Sequence, residues 1–215
     1  MRNAPLVAAA ALLVTPVLAA ADISPNSAWS VTAQVWGGRS RYDVAGLKSN
    51  VSTLGTTDGK DLMSGRFTST GAQAIVRLGW LDVGALWEGS LPRSGVGSAI
   101  VTPLVGIAWN LSDRWRIDLL GEAGGHQVSG IGQSGSFDTS HVKTVWLPSV
   151  GVRPGLTLRL PVSFLRVDAS LTPFARWDLV RKTVTVDVAG QAGQYRSYDV
   201  GGTTVGVVLG IGLEI

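Results

Sequence analysis

The sequence predicts an all-β fold, a closed antiparallel eight-stranded barrel that crosses a membrane on its strands. Three observations predict it. Apolar and polar residues alternate with period two over long stretches, such as 72–80, 115–126 and 166–177. Such alternation makes long strands with one apolar and one polar face. Glycine gathers on the polar face, at Gly79, Gly84, Gly106, Gly124, Gly151, Gly206, Gly210 and Gly212. Tryptophan gathers near strand ends and shares the apolar face.

Glycine decides which face points in. It weakens a strand, and a solvent-facing surface has no need of it. A crowded interior does need it, and an eight-stranded barrel is only just wide enough to be filled by side chains. The polar, glycine-rich face therefore points inward and the apolar face outward, to lipid. A soluble sandwich or lipocalin-like barrel would reverse the faces and leave the glycines without a role. In lipid every backbone donor and acceptor must pair internally, so the sheet has no free edge. The last strand must pair with the first.

Composition agrees. Of 215 residues 45% are hydrophobic and only 15% charged, against roughly 25% charged in an average soluble domain. There is no cysteine, which excludes disulfides and thiolate metal sites. The 18 basic and 15 acidic side chains nearly balance, and no nucleic-acid motif is present.

In chain order, residues 1–21 read as a secretory signal peptide. Arg2 is its positive region, "APLVAAAALLVTPVLA" its apolar region, and Ala19 and Ala21 its cleavage residues. Residues 22–215 are then the barrel domain. Strands are expected at 28–37, 69–80, 82–91, 98–110, 114–126, 143–154, 165–178 and 202–215. Long loops follow the first, third, fifth and seventh, near 38–68, 127–142 and 179–201 among others. Short turns follow the second and fourth. "GLTLRLPVSF" is the connection after the sixth, and "RKTVTVDV" with "YRSYDV" flank "AGQAGQ" as candidate extensions of the last hairpin. Long loops on one side and short turns on the other is the outer-membrane pattern. Trp29, Trp80, Trp109 and Trp115 mark the short-turn ends, and Trp87, Trp146 and Trp177 the long-loop ends. Two such rows are aromatic girdles at the two membrane interfaces. Trp36 has the wrong parity unless a bulge at Gly37-Gly38 intervenes.

On these features the chain resembles the small outer-membrane barrels of the outer membrane protein A and X type, over residues 22–215. "LSDRWRIDL" at a short turn and the final "VLGIGLEI" carry the local likeness. The resemblance implies the outer membrane of a Gram-negative bacterium, reached after cleavage near Ala21. It implies partners too: outer-membrane lipid, lipopolysaccharide, surface partners at the long loops, and the barrel-assembly machinery. Gly210, Leu213 and Ile215 match the family's terminal assembly signal. Val208 stands where that signal has a polar residue, and Ile215 where it has an aromatic one.

The inward ionisable residues Arg77, Asp82, Arg116, Asp118, Arg153, Arg166, Asp168 and Glu214 are expected to form an ion-pair network low in the lumen. Buried charge is tolerated only when paired. The expected function is accordingly that of a structural or surface-interaction barrel with a plugged lumen, without catalytic activity, cofactor or metal. One alternative is a narrow pore gated by the same residues. The other is a lipid A-modifying deacylase or acyltransferase, for which Glu122, His126 and Ser129 are the catalytic candidates, with Asp138, Ser140 and His141 a second set. Pro103, Pro148 and Pro173 face lipid, and a seam between strands six and seven at Pro148 and Pro173 would favour that alternative. "GIGQSG" contains a GxGxxG spacing but has no helix after it and is a flexible loop.

Overall fold

A computed structural model describes residues 29–43, 65–90, 97–131, 143–162, 165–187 and 195–215. The expected signal peptide, the set Asp138, Ser140 and His141, and most of the loops near 38–68 and 127–142 lie outside the described residues.

Ten strands follow one another: β1 (Trp29–Asp43), β2 (Gly65–Leu78), β3 (Leu81–Ser90), β4 (Gly97–Asn110), β5 (Trp115–Ile131), β6 (Lys143–Val162), β7 (Leu165–Asp178), β8 (Lys182–Asp187), β9 (Tyr195–Val200) and β10 (Thr203–Glu214). Eight of them close an antiparallel barrel in the order β1-β10-β7-β6-β5-β4-β3-β2. β1 and β10 pair from Thr32↔Glu214 to Asp43↔Thr203, which removes the edge. β8 and β9 form a separate two-stranded sheet between β7 and β10.

Alternation becomes orientation. Along β10, Thr204, Val208, Gly210, Gly212 and Glu214 are buried, while Val205, Val207, Leu209, Ile211 and Leu213 are exposed. Lipid covers that outer band in a spanning barrel, so its exposure carries no hydrophobic penalty. Trp29, Trp80, Trp109 and Trp115 project outward at the short-turn end, and Trp87, Trp146 and Trp177 near the other.

Trp36 is the exception. The β1 register runs without a bulge through Trp36↔Gly210, Gly37↔Leu209 and Gly38↔Val208. Its indole therefore points inward and is 6% exposed. Gly71 makes room for it, because a Cβ there would collide with the indole. Gly206 does the same for the Phe174 ring, which would lie 2.6 Å from such a Cβ.

Three expectations change. The sixth strand continues past 154 to Val162, so "GLTLRLPVSF" is largely strand. Its period two never stopped: Leu156 and Leu160 stay exposed while Thr157 and Arg159 stay buried. Only residues 163–164 then separate β6 from β7, a connection no longer than Gly79-Trp80 and shorter than 111–114. Gly79 carries φ +64° in the first of these turns, a conformation glycine adopts at no steric cost. The loops are shorter than expected, since β1 reaches Asp43, β2 begins at Gly65 and β5 reaches Ile131.

The third change concerns proline. Pro148 keeps its place in the β5–β6 ladder opposite Gly125. The interruption between β6 and β7 lies lower, between Val152↔Ala175 and Leu156↔Leu171. That register puts Pro154 opposite Pro173. Each stays paired on its other side, to Leu119 and to Val207. The two missing N–H groups are thus those that would have faced each other.

Candidate functional site

The lumen is filled in layers, and the strands deliver its groups two residues at a time. β5 alone supplies Arg116, Asp118, Leu120, Glu122 and His126 going up from the short turns.

The lowest layer is ionic. Arg77 holds Asp82 through two parallel hydrogen bonds of 2.7 Å, the fork-on-carboxylate geometry that makes such pairs strong. The same guanidinium reaches Asp118 at 3.3 Å. Arg116 bridges three carboxylates, Asp118 at 3.0 Å, Asp168 at 3.2 Å and Glu214 at 3.0 Å. Thr157 donates to Asp118 at 3.1 Å. Arg159 donates to the Ser112 carbonyl at 3.0 Å, across the mouth of the 111–114 turn. Arg166 is at the margin, 3.8 Å from Glu214 with its side chain 42% exposed.

Above it lies an apolar layer of Ile75, Leu86, Leu104, Leu120 and Val208. Gln34 threads the same level, donating to Ser170 and accepting from Gln73 at 2.6 Å. A second ionic layer follows. Arg153 meets Glu88 at 3.3 Å and Glu122 at 3.5 Å, and Arg176 meets Glu122 at 2.5 Å and Glu88 at 3.1 Å. Both guanidinium groups lie over Phe174, at 4.8 and 5.4 Å, and Arg153 also lies over Trp36 at 5.1 Å. A ring face attracts a cation most strongly where water is excluded. Arg153 and Arg176 are each 1% exposed.

The eight residues expected in one network thus divide. Arg77, Asp82, Arg116, Asp118, Asp168 and Glu214 meet; Arg166 is peripheral; Arg153 belongs to the upper layer. The apolar layer separates the two, a feature that parity on single strands does not display. Glu88 and Arg176 stand outside the expected network, although their parity is the inward one. Arg159 was hidden by the misplaced end of the sixth strand.

The uppermost group centres on His126. Its Nδ1 lies 2.7 Å from Asp178 and its Nε2 lies 2.9 Å from the Ser98 hydroxyl. The expected set of Glu122, His126 and Ser129 is not assembled. Glu122 is held by Arg176 and Arg153, and Ser129 donates to the Gly97 carbonyl at 3.3 Å. One strand cannot bring three of its own residues together when they lie about 10 and 13 Å apart along it. Partners came from β4 and β7.

Among the described residues no cluster of histidine and carboxylate side chains suits a metal ion. No family model and no curated protein matches the sequence. The chain is similar in structure to small outer-membrane β-barrels. Neisserial surface protein A is 11% identical, covering 86% of this chain and 97% of its own, with a TM-score of 0.48. Ail, the attachment invasion locus protein of Yersinia pestis, is 11% identical over 86% of this chain and 98% of its own, with a TM-score of 0.43. The β domain of the Bordetella autotransporter BrkA is 11% identical over 87% of this chain and 99% of its own, with a TM-score of 0.37.

Proposed function

We propose that the protein is a surface-exposed outer-membrane barrel of structural type, its lumen closed by two stacked layers of ion pairs. The observation that carries this reading is the inversion of a soluble protein. Leucine, valine and isoleucine cover the outside, and Asp82, Asp168, Arg153 and Arg176 lie at most 1% exposed inside. A conducting lumen keeps its charged groups wet; these charges are buried and paired with one another. The upper layer balances Arg153 and Arg176 against Glu88 and Glu122. Outer-membrane lipid would meet the two tryptophan rows. Lipopolysaccharide phosphates would meet the outward Arg39, Arg41 and Arg66 at the long-loop end of β1 and β2. The assembly machinery would read the strand carrying Gly210, Leu213 and Ile215, and surface partners the long loops.

Membrane fractionation and gel migration with and without boiling test the barrel. A folded barrel sediments with outer membranes and migrates faster unboiled. Planar-bilayer recording tests the plug. The wild type and Arg116→Ala both give no conductance steps on this reading, because the upper layer remains closed. Steps in the wild type would favour the narrow-pore alternative.

A further inference from the structure

At the long-loop end of the lumen a relay of hydrogen bonds exists that closing the barrel does not require. Asp178 Oδ1 lies 2.7 Å from His126 Nδ1, and His126 Nε2 lies 2.9 Å from Ser98 Oγ. The three residues come from β7, β5 and β4. The second carboxylate oxygen of Asp178 accepts from the Tyr42 hydroxyl at 3.0 Å and from the Gly202 N–H at 2.9 Å. Both oxygens are thus held and the carboxylate cannot turn. Tyr42 also stands edge-on to the imidazole, at 5.4 Å and 89°, fixing the ring plane. A carboxylate at Nδ1 selects the tautomer with its proton there. Nε2 is then a free base aimed at a serine hydroxyl. This is the order orienting acid, base, nucleophile, recognised by geometry whatever the fold.

Exposure follows the same order. His126 is 1% exposed and the Asp178 side chain 2%, whereas Ser98 is half-buried. Ser98 opens on a cavity that Ser40, Ser69, Tyr42, Phe67 and Val128 also line. Ser40 and Ser69 hydroxyls lie 2.6 Å apart. One of their protons bridges the two oxygens, which leaves the other for an oxyanion in the cavity. Phe67 and Val128 supply apolar wall, Glu88 also lines the cavity, and its space is little more than water-sized, so only a short, uncharged acyl end would enter. The ion-pair layers lie beneath the cavity, on its short-turn side.

We propose that Ser98, His126 and Asp178 form an esterase site at the outer mouth, for small uncharged esters with a short acyl group. Ser98 Oγ attacks the ester carbonyl carbon as His126 Nε2 takes the hydroxyl proton. The carbon–oxygen bond to the alcohol breaks, and His126 returns that proton to the departing alkoxide. The acyl group rests on Ser98. Water then attacks the acyl carbon and gives a proton to His126. The acid leaves, and the proton returns to Ser98.

The test uses the full chain folded in detergent, each variant checked by its shift on unboiled gels. A fluorophosphonate probe should label the wild type at Ser98, located by peptide mass spectrometry. The wild type should also release p-nitrophenol from p-nitrophenyl acetate. Ser98→Ala should abolish both signals. His126→Ala and Asp178→Asn should each lower the labelling rate by at least about a hundredfold, as loss of a base or its orienting group does. A folded wild type that neither labels nor turns over above Ser98→Ala overturns the proposal. So does equal labelling of folded His126→Ala and wild type, because the serine would then owe nothing to the histidine.

Discussion

Arg153 shows how much one residue settles in a lumen this narrow. Its charge is shared between Glu88 and Glu122, and its flat face is covered by Trp36 and Phe174. Lysine keeps the charge but has neither the fork nor the face. Replacing Arg153 by Ala leaves the Glu88 and Glu122 carboxylates to Arg176 among the described residues and should cost about 3–5 kcal/mol. Arg153→Lys should cost about 1–2 kcal/mol by losing the ring contacts and the geometry. Urea unfolding in detergent, followed by tryptophan fluorescence, measures both; equal losses would show that charge alone matters there. Gly206 is the opposite case. A side chain there meets the Phe174 ring and the Arg39 carbonyl. Gly206→Val should destabilise by about 1–3 kcal/mol through overpacking. The same change at Gly79, where a Cβ meets nothing within 4 Å, should act through its positive φ alone.

At the scale of the element, the meeting of Pro154 and Pro173 interrupts the wall between β6 and β7. Two carbonyls on adjacent strands lose their cross-strand donors there, in a region that faces lipid. Restoring both donors with Pro154→Val and Pro173→Val adds two ladder bonds, each worth about 1 kcal/mol. Amide hydrogen exchange across 153–155 and 172–174 should slow in the double variant, and unfolding should need more urea. Unchanged exchange would mean that other acceptors already satisfy this stretch. The sixth strand also shows where sequence reading erred. A proline inside a period-two run invites a loop assignment, yet Pro154 loses one donor on one side and keeps its register on the other.

For the whole molecule, the stacking order decides behaviour. On the proposed function, ions would meet an ionic layer, an apolar layer and a second ionic layer in series. Opening one layer should therefore leave the barrel closed. Arg116→Ala combined with Arg153→Ala should produce conductance steps in planar bilayers that neither single change produces. Steps from Arg116→Ala alone would place the whole barrier in the lower layer. The His126 group lies above both layers, so its reactivity toward a fluorophosphonate should be the same in Arg116→Ala as in the wild type.

Parity made most of this legible in the chain itself. Two-residue alternation, glycine on the polar side and tryptophan near strand ends determined the barrel, its strand number and its inside-out faces. These are properties of single strands, and period two is a local geometry. Closure follows from them, since lipid forbids an edge. Tertiary structure alone decided which inward groups meet. Arg116 and Glu214 lie 98 residues apart in the chain, and Ser98 reaches His126 rather than the serine nearer in sequence. The strands of a closed barrel are tilted and staggered. A side chain's lumen neighbours are therefore fixed by the register of all eight strands together, and no single strand records it.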